Sequence, residues 1–260
     1  MVKPSRHSDP SASEGSGRLD DLADLPALRP LPTAAERAAE VIRENIFEGR
    51  FAPGTPLPEA ALSKALQVSR NTVREAFRML TSEHLLTYEA HRGVMVRWLS
   101  EVDVGDIYRL RRMFELAALD HAIDGRHELD VSAIGDLVTT AERAAAAGRW
   151  KEVGTVNLRF HEQIVAAQQS PRINEVFRRL MTEIRLGFLV FTDPAELHGD
   201  FVPRNRELHG LIAGGDLRQA RAELAIYLDE AEHRITTAIR GSSDRSGRSG
   251  RSRKEGQAGV

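Results

Sequence analysis

The stretch VSRNTVREAFRML, Val68 to Leu80, spends three arginines, Arg70, Arg74 and Arg78, at intervals of four. Between them Val73, Ala76, Phe77 and Leu80 recur at three- and four-residue steps, the spacing that lines one face of a helix. A helix meant only to fill a core has no use for arginines at that interval. Whether they face water, a partner helix or a phosphate backbone depends on the elements around them.

Upstream, FAPGTPLP cannot be helical, because Pro53, Pro56 and Pro58 interrupt it. Before that elbow, Thr33 and Glu36 form a T-x-x-E capping box. The helix they open carries Ala38, Val41, Ile42 and Ile46 on one face and stops at Gly49. Pro58 suits the first turn of a short helix through Leu66. After the tight turn QVS, Ser69 is the N-cap of a third helix running to about Thr81. LLTYEA and VMVRWL then read as two strands joined by His91-Arg92-Gly93. Helix, elbow, short helix, turn, helix and hairpin is the order of a winged helix-turn-helix, whose third helix enters the major groove. Ser69, Arg70, Asn71, Thr72 and Arg74 are the expected DNA-facing residues at its amino end. Arginine's planar fork can take guanine O6 and N7 together, while hydroxyls and the helix amino terminus suit phosphates. His91, Arg92 and Gly93 form the wing tip, with Arg92 expected at a phosphate or in the minor groove. Arg78 is not expected to touch DNA.

The 260-residue chain is long enough for two modest domains of about 100–200 residues each. Scarce aromatics and abundant Ala, Leu and Arg favour helices. Without cysteine there are no disulfides or thiolate metal sites, which fits a cytoplasmic protein. No apolar run approaches the length of about 18–20 residues that a membrane span needs. Net charge is −2, yet its distribution is uneven. Residues 33–99 hold nine Lys/Arg against eight Asp/Glu, residues 100–240 hold 18 against 23, and residues 241–260 hold five against two.

Residues 1–32, rich in Pro, Ser, Gly and Asp, and the Gly/Ser/Arg-rich basic tail 241–260 read as disordered. Residues 33–99 are the DNA-binding domain. From 100 to 240 the pattern changes to helices near 101–124, 130–147, 149–168, 171–191, 203–214 and 216–240, whose short connections imply an antiparallel bundle. The expected fold is therefore mainly α: an amino-terminal winged helix-turn-helix followed by an all-α bundle.

PGTPLPEAALSKALQVSRNTVREAFRML, with LLTYEAHRGVMV after it, resembles the DNA-binding domain of the GntR family of bacterial transcription regulators. One departure is Ala60, where family members often carry a DNA-contacting arginine. The second half, through YRLRRMFE (Tyr108 to Glu115), NLRFHEQI (Asn157 to Ile164) and the helix after Gly215-Asp216, resembles the FadR-type, or FCD, subgroup. The resemblance implies a homodimer that reads a palindromic operator in double-stranded DNA as a repressor, with a small carboxylate metabolite as effector. In many FCD domains a cavity metal is held by an Asp or Asn, a His four residues later and two further histidines. Asn157 and His161 match the first pair, but Asn205 and Tyr227 stand at the other two positions. Both are poor zinc ligands. His209, four residues after Asn205, is a possible substitute, so a divalent, zinc-type metal stays an alternative to an organic-anion pocket anchored by Arg111. Arg111 could equally pair with Glu115 along its own helix. Two other functions are open: a constitutive DNA-binding dimer whose bundle only dimerises, and a metal-dependent enzyme using His161 and His209. The second lacks a nucleophile, a phosphate-cradling glycine loop or a carboxylate pair.

Overall fold

The computed structural model describes residues 32–255, with side chains through Gly241; the expectations for residues 1–31 and 256–260 lie outside them. The first helix, α1 (Ala34–Phe47), buries Ala35, Ala38, Ala39, Ile42, Ile46 and Phe47. Val41, expected on that face, is instead 46% exposed. Helix α2 (Glu59–Leu66) ends at Gln67 in the left-handed conformation, φ 54°. Helix α3 (Arg70–Ser82) begins at Ser69, whose side chain accepts from the Thr72 amide, and it buries Val73, Ala76, Phe77 and Leu80.

Strands β1 (Leu86–Glu89) and β2 (Gly93–Val96) pair antiparallel, with Leu86 opposite Val96 and Glu89 opposite Gly93. The proline-rich elbow is more than an interruption between helices. Gly54 N donates to Val96 O at 2.8 Å and Leu57 N to Val94 O at 2.9 Å, so the elbow lies along the wing as extended chain. Proline cannot donate in a ladder, and the donors here come from the residues between prolines.

Ser100 opens α4 (Glu101–Ile123) with a reciprocal capping box to Asp103. The bundle continues with α5 (Val131–Ala146), α6 (Trp150–Ala166), α7 (Pro171–Phe188), α8 (Pro194–His198), α9 (Phe201–Ala213) and α10 (Leu217–Glu255). Asp130 and Ser170 cap α5 and α7 through side-chain acceptors. Two features differ from the sequence expectation. The short α8, opened by Asp193 and Pro194, falls between the expected helices, because five residues are too few for a periodic signal. Helix α10 runs through 241–255, where the composition predicted disorder; once a helix is nucleated, each further residue adds a bond without paying for a new nucleus.

Helix α1 packs on α3 on one side and on α7 on the other. One buried cluster therefore runs from Ile42, Phe77 and Leu80 through Leu99 to Ile107, Ile184 and Ile235. The segment around Leu99–Asp103 is no loose linker. Leu99 is 4% exposed, and Arg97 pairs with Asp103 at 2.7 Å and Glu183 at 3.5 Å.

Candidate nucleic-acid interface and core polar site

The amphipathic period of α3 turns its apolar side to α1 and leaves Arg70, Asn71 and Arg74 exposed. These three residues differ in readiness. Arg70, at the first helical position, has no acid partner among the described residues. Asn71 Nδ2 donates to Glu75 Oε1 at 3.2 Å. Arg74 Nε reaches both oxygens of Glu59, on α2, at 3.0 and 2.9 Å. Ser69 Oγ accepts from Thr72 N at 3.0 Å and shares a hydrogen bond with Thr72 Oγ1 at 2.8 Å, so both hydroxyls help cap the helix. Arg78 is exposed, and the nearby Glu75 is engaged by Asn71.

At the wing tip His91 (φ 66°) and Gly93 (φ 82°) adopt the left-handed backbone that reverses the chain. His91 and Arg92 are exposed, and Arg92 Nη1 donates to Glu89 Oε2 at 2.7 Å. Ala60 is exposed on α2, beside the Glu59 that holds Arg74.

The second site lies inside the bundle. Arg111 and Glu115 of α4 are 1% and 0% exposed, His161 of α6 is 0%, and Asn157, Asn205 and Tyr227 are all buried. Arg111 Nε donates to Glu115 Oε1 at 2.8 Å, while the other oxygen, Oε2, faces His161 Nδ1 at 2.6 Å. Asn157 Oδ1 accepts from both Asn205 Nδ2 (2.7 Å) and Tyr227 OH (2.9 Å). The His161 and Tyr227 rings meet edge-on, with centroids 5.1 Å apart, and the Arg111 guanidinium sits 4.8 Å from the centre of the Tyr108 ring.

Burial by itself would raise the Glu115 carboxyl, but Arg111 and His161 outweigh it and hold it below the usual range. Burial lowers His161 despite the opposing pull of Glu115, so the imidazole is neutral. With Nδ1–H turned to the carboxylate, its Nε2 is an acceptor. Burial pushes the Tyr108 hydroxyl up to about 12, keeping it a donor.

Four polar atoms of this cluster are buried without a partner: Tyr108 OH, Arg111 Nη2, His161 Nε2 and Asn205 Oδ1. A buried group left unpaired costs about 1–3 kcal/mol, so four in one place call for an occupant.

His209 does not join them. Its Nε2 lies 3.2 Å from Val131 O, and its ring covers Gly135 on α5. Helix α9 packs against α5, and that contact takes the His209 ring, which lies over Gly135 and not beside Asn205. Tyr108 and Glu115, by contrast, were missed as site residues. With Arg111 they sit at steps of three and four, a polar stripe on the same side of α4 as the buried Val104, Ala118 and Leu119.

The fold is that of a winged helix-turn-helix DNA-binding protein with an all-helical second domain. Residues 34–96 match the bacterial regulatory proteins of the gntR family, and residues 106–230 match the FCD domain. A crystal structure of a GntR transcriptional regulator from Rhodococcus sp. RHA1 is 36% identical, with a TM-score of 0.72 over 78% of this chain and 98% of that one. The HTH-type transcriptional regulator YdhC of Bacillus subtilis is 32% identical over 125 residues, 48% of this chain and 56% of its own length. The gluconate operon transcriptional repressor of Bacillus licheniformis is 31% identical over 132 residues, 50% of this chain and 53% of its own. The chain thus spans little more than half the length of these curated relatives. It belongs to the GntR family of transcription regulators, with an FCD domain. Its relatives are regulators, not enzymes. Among the described residues no helix is long and apolar enough to cross a membrane.

Proposed function

We propose that this regulator is a ligand-responsive repressor that binds a palindromic operator as a homodimer and is released by a small organic acid held in the core polar site. The observation that carries the ligand reading is the set of unpaired atoms in the bundle. Arg111 Nη2 and Tyr108 OH are donors suited to a carboxylate, and His161 Nε2 and Asn205 Oδ1 are acceptors suited to a hydroxyl. A small hydroxy acid would satisfy all four. One relative is named for gluconate, which is such an acid.

What speaks against a zinc-type metal is the donor set. Asn157 Oδ1 is already taken by two hydrogen bonds, Tyr227 is pushed up by burial and stays a neutral phenol, and His209 points away. One imidazole with one amide is not a zinc site. Among the described residues no group of three His, Cys, Asp or Glu is placed to hold an ion.

The ligand acts by binding one setting of the two DNA-binding domains better than the other. The test is anisotropy of a labelled DNA fragment from upstream of the protein's own coding sequence, with and without a panel of small hydroxy acids. Sequence-selective, salt-dependent binding that a hydroxy acid reverses supports the proposal. Selective binding that no acid alters, with no thermal stabilisation by any of them, favours the constitutive dimer. Absence of selective binding refutes the operator reading.

A further inference from the structure

The bundle contains a second buried cation that the core site does not use. Arg185, on α7, is 1% exposed and has no acid within ion-pair distance among the described residues. Its Nη2 donates to three oxygens: Lys151 O at 3.0 Å and Thr155 Oγ1 at 3.4 Å, both on α6, and Glu48 O at 3.4 Å. Its Nε is buried without a partner. Glu48 belongs to the turn that closes α1, the helix of the DNA-binding domain on which α3 rests.

The surroundings are cut to fit this guanidinium. A Cβ on Gly154 would lie 2.3 Å from Arg185 Nη1 and 2.7 Å from His198 Nε2. One on Gly49 would lie 2.7 Å from Nη2. Two different domains therefore each place a glycine where a single side chain passes. His198, beside Arg185, is pushed down to about 3 by burial and by that positive charge, so it adds no second cation. An apolar residue of the same volume would avoid burying an uncompensated charge, and such replacements are often neutral or stabilising. The charge is offset here by three oxygens: the Lys151 carbonyl and Thr155 hydroxyl of α6, and the Glu48 carbonyl where α1 ends. The last carbonyls of α1 carry the negative end of its dipole and lack helical donors.

We propose that Arg185 is a positioning residue that sets the DNA-binding domain on the bundle, by capping the carboxy-terminal end of α1 from α7. Helix α6 links this contact to the core polar site. It presents Lys151 O and Thr155 Oγ1 to Arg185, and Asn157 and His161 to the cluster. A shift of α6 on ligand binding would move the support of Arg185 and hence α1. That last step rests on the effector reading; the capping role does not.

The test compares Arg185→Met with the wild-type full chain by hydrogen exchange and by anisotropy on the upstream DNA fragment. The amides of Gly49, Arg50 and Phe51 should exchange about tenfold faster, the change expected for one lost charge-assisted hydrogen bond, while α9 and α10 stay as protected as before. DNA affinity should fall, and Arg185→Lys should restore part of both effects, because it keeps the charge without the fork. If Arg185→Met does not fold, Arg185→Lys alone is compared with wild type, and faster exchange at the same amides is still expected. Unchanged exchange at 49–51, or faster exchange spread evenly over the chain, overturns the proposal. An Arg185→Met protein that keeps its DNA affinity overturns it too. The effector reading fails separately, through Arg111→Ala and the acid panel, with exchange at 49–51 unaltered.

Discussion

Substituting Arg70 by alanine should weaken operator binding more than the same change at Arg74, although both arginines sit on the exposed face of α3. Arg70 has no acid partner among the described residues, so its whole hydrogen-bonding capacity is free for a base edge or phosphate. A good arginine contact of that kind is worth about 1–3 kcal/mol, roughly 5- to 150-fold per half-site. Arg74 starts from a different state, with Nε held by both oxygens of Glu59 at 3.0 and 2.9 Å. Its contact with DNA must first loosen that pair. The pair is largely exposed and screened by water, so loosening it costs little, but the net loss in Arg74→Ala is still the smaller of the two. Glu59→Gln should therefore tighten binding modestly, as it frees Arg74 and removes a negative charge near the backbone. The assay is fluorescence anisotropy on the upstream fragment at three salt concentrations. Each lost phosphate contact should flatten the slope of log K against log salt by about 0.9. Arg74→Ala costing as much as Arg70→Ala, or weaker binding by Glu59→Gln, would refute the reasoning.

Other outcomes follow from the same geometry. Glu115→Gln leaves Arg111 buried without a counter-ion and should cost about 3 kcal/mol in urea denaturation, with ligand binding lost in parallel. Because the folded state holds Glu115 below the usual carboxylate range, its contribution is complete above about pH 4.3 and is lost as the pH falls below that. Glu162 behaves oppositely. Burial pushes it up to about 7, so folding takes up a proton and stability declines as the pH rises from about 4.3 through 7. Glu162→Gln should stabilise the protein by roughly 1–3 kcal/mol at pH 8 and hardly at all at pH 4, read as the difference in Tm between the two buffers. Ser69→Ala removes the acceptor for Thr72 N and should cost about 1 kcal/mol, together with some DNA affinity from a frayed α3.

The sequence alone determined the order of the longer elements and most of the faces that α1 and α3 bury. Periodicity, caps and breakers are local: Ser69 caps its helix wherever the rest of the chain goes. The exposure of Arg70, Asn71 and Arg74 was legible for the same reason, since α3 has one apolar side and these positions lie off it. The core site was legible in part. Arg111, Asn157, His161, Asn205 and Tyr227 do meet, and His209 does not, because its angular offset on α9 is settled by how that helix packs on α5.

Tertiary structure decided the pairings across elements. That Glu59 holds Arg74, that Glu115 joins Arg111 to His161, and that Arg97 fastens the start of α4 all depend on pairings no periodic pattern encodes. Arg185 is the clearest case. In the sequence it is one more arginine between Ile184 and Leu186, whereas in the fold two glycines from distant segments make room for it. A helix exposes or buries a side chain according to what packs against it. Whether a charge there is solvated or enclosed is decided only when the other helices arrive.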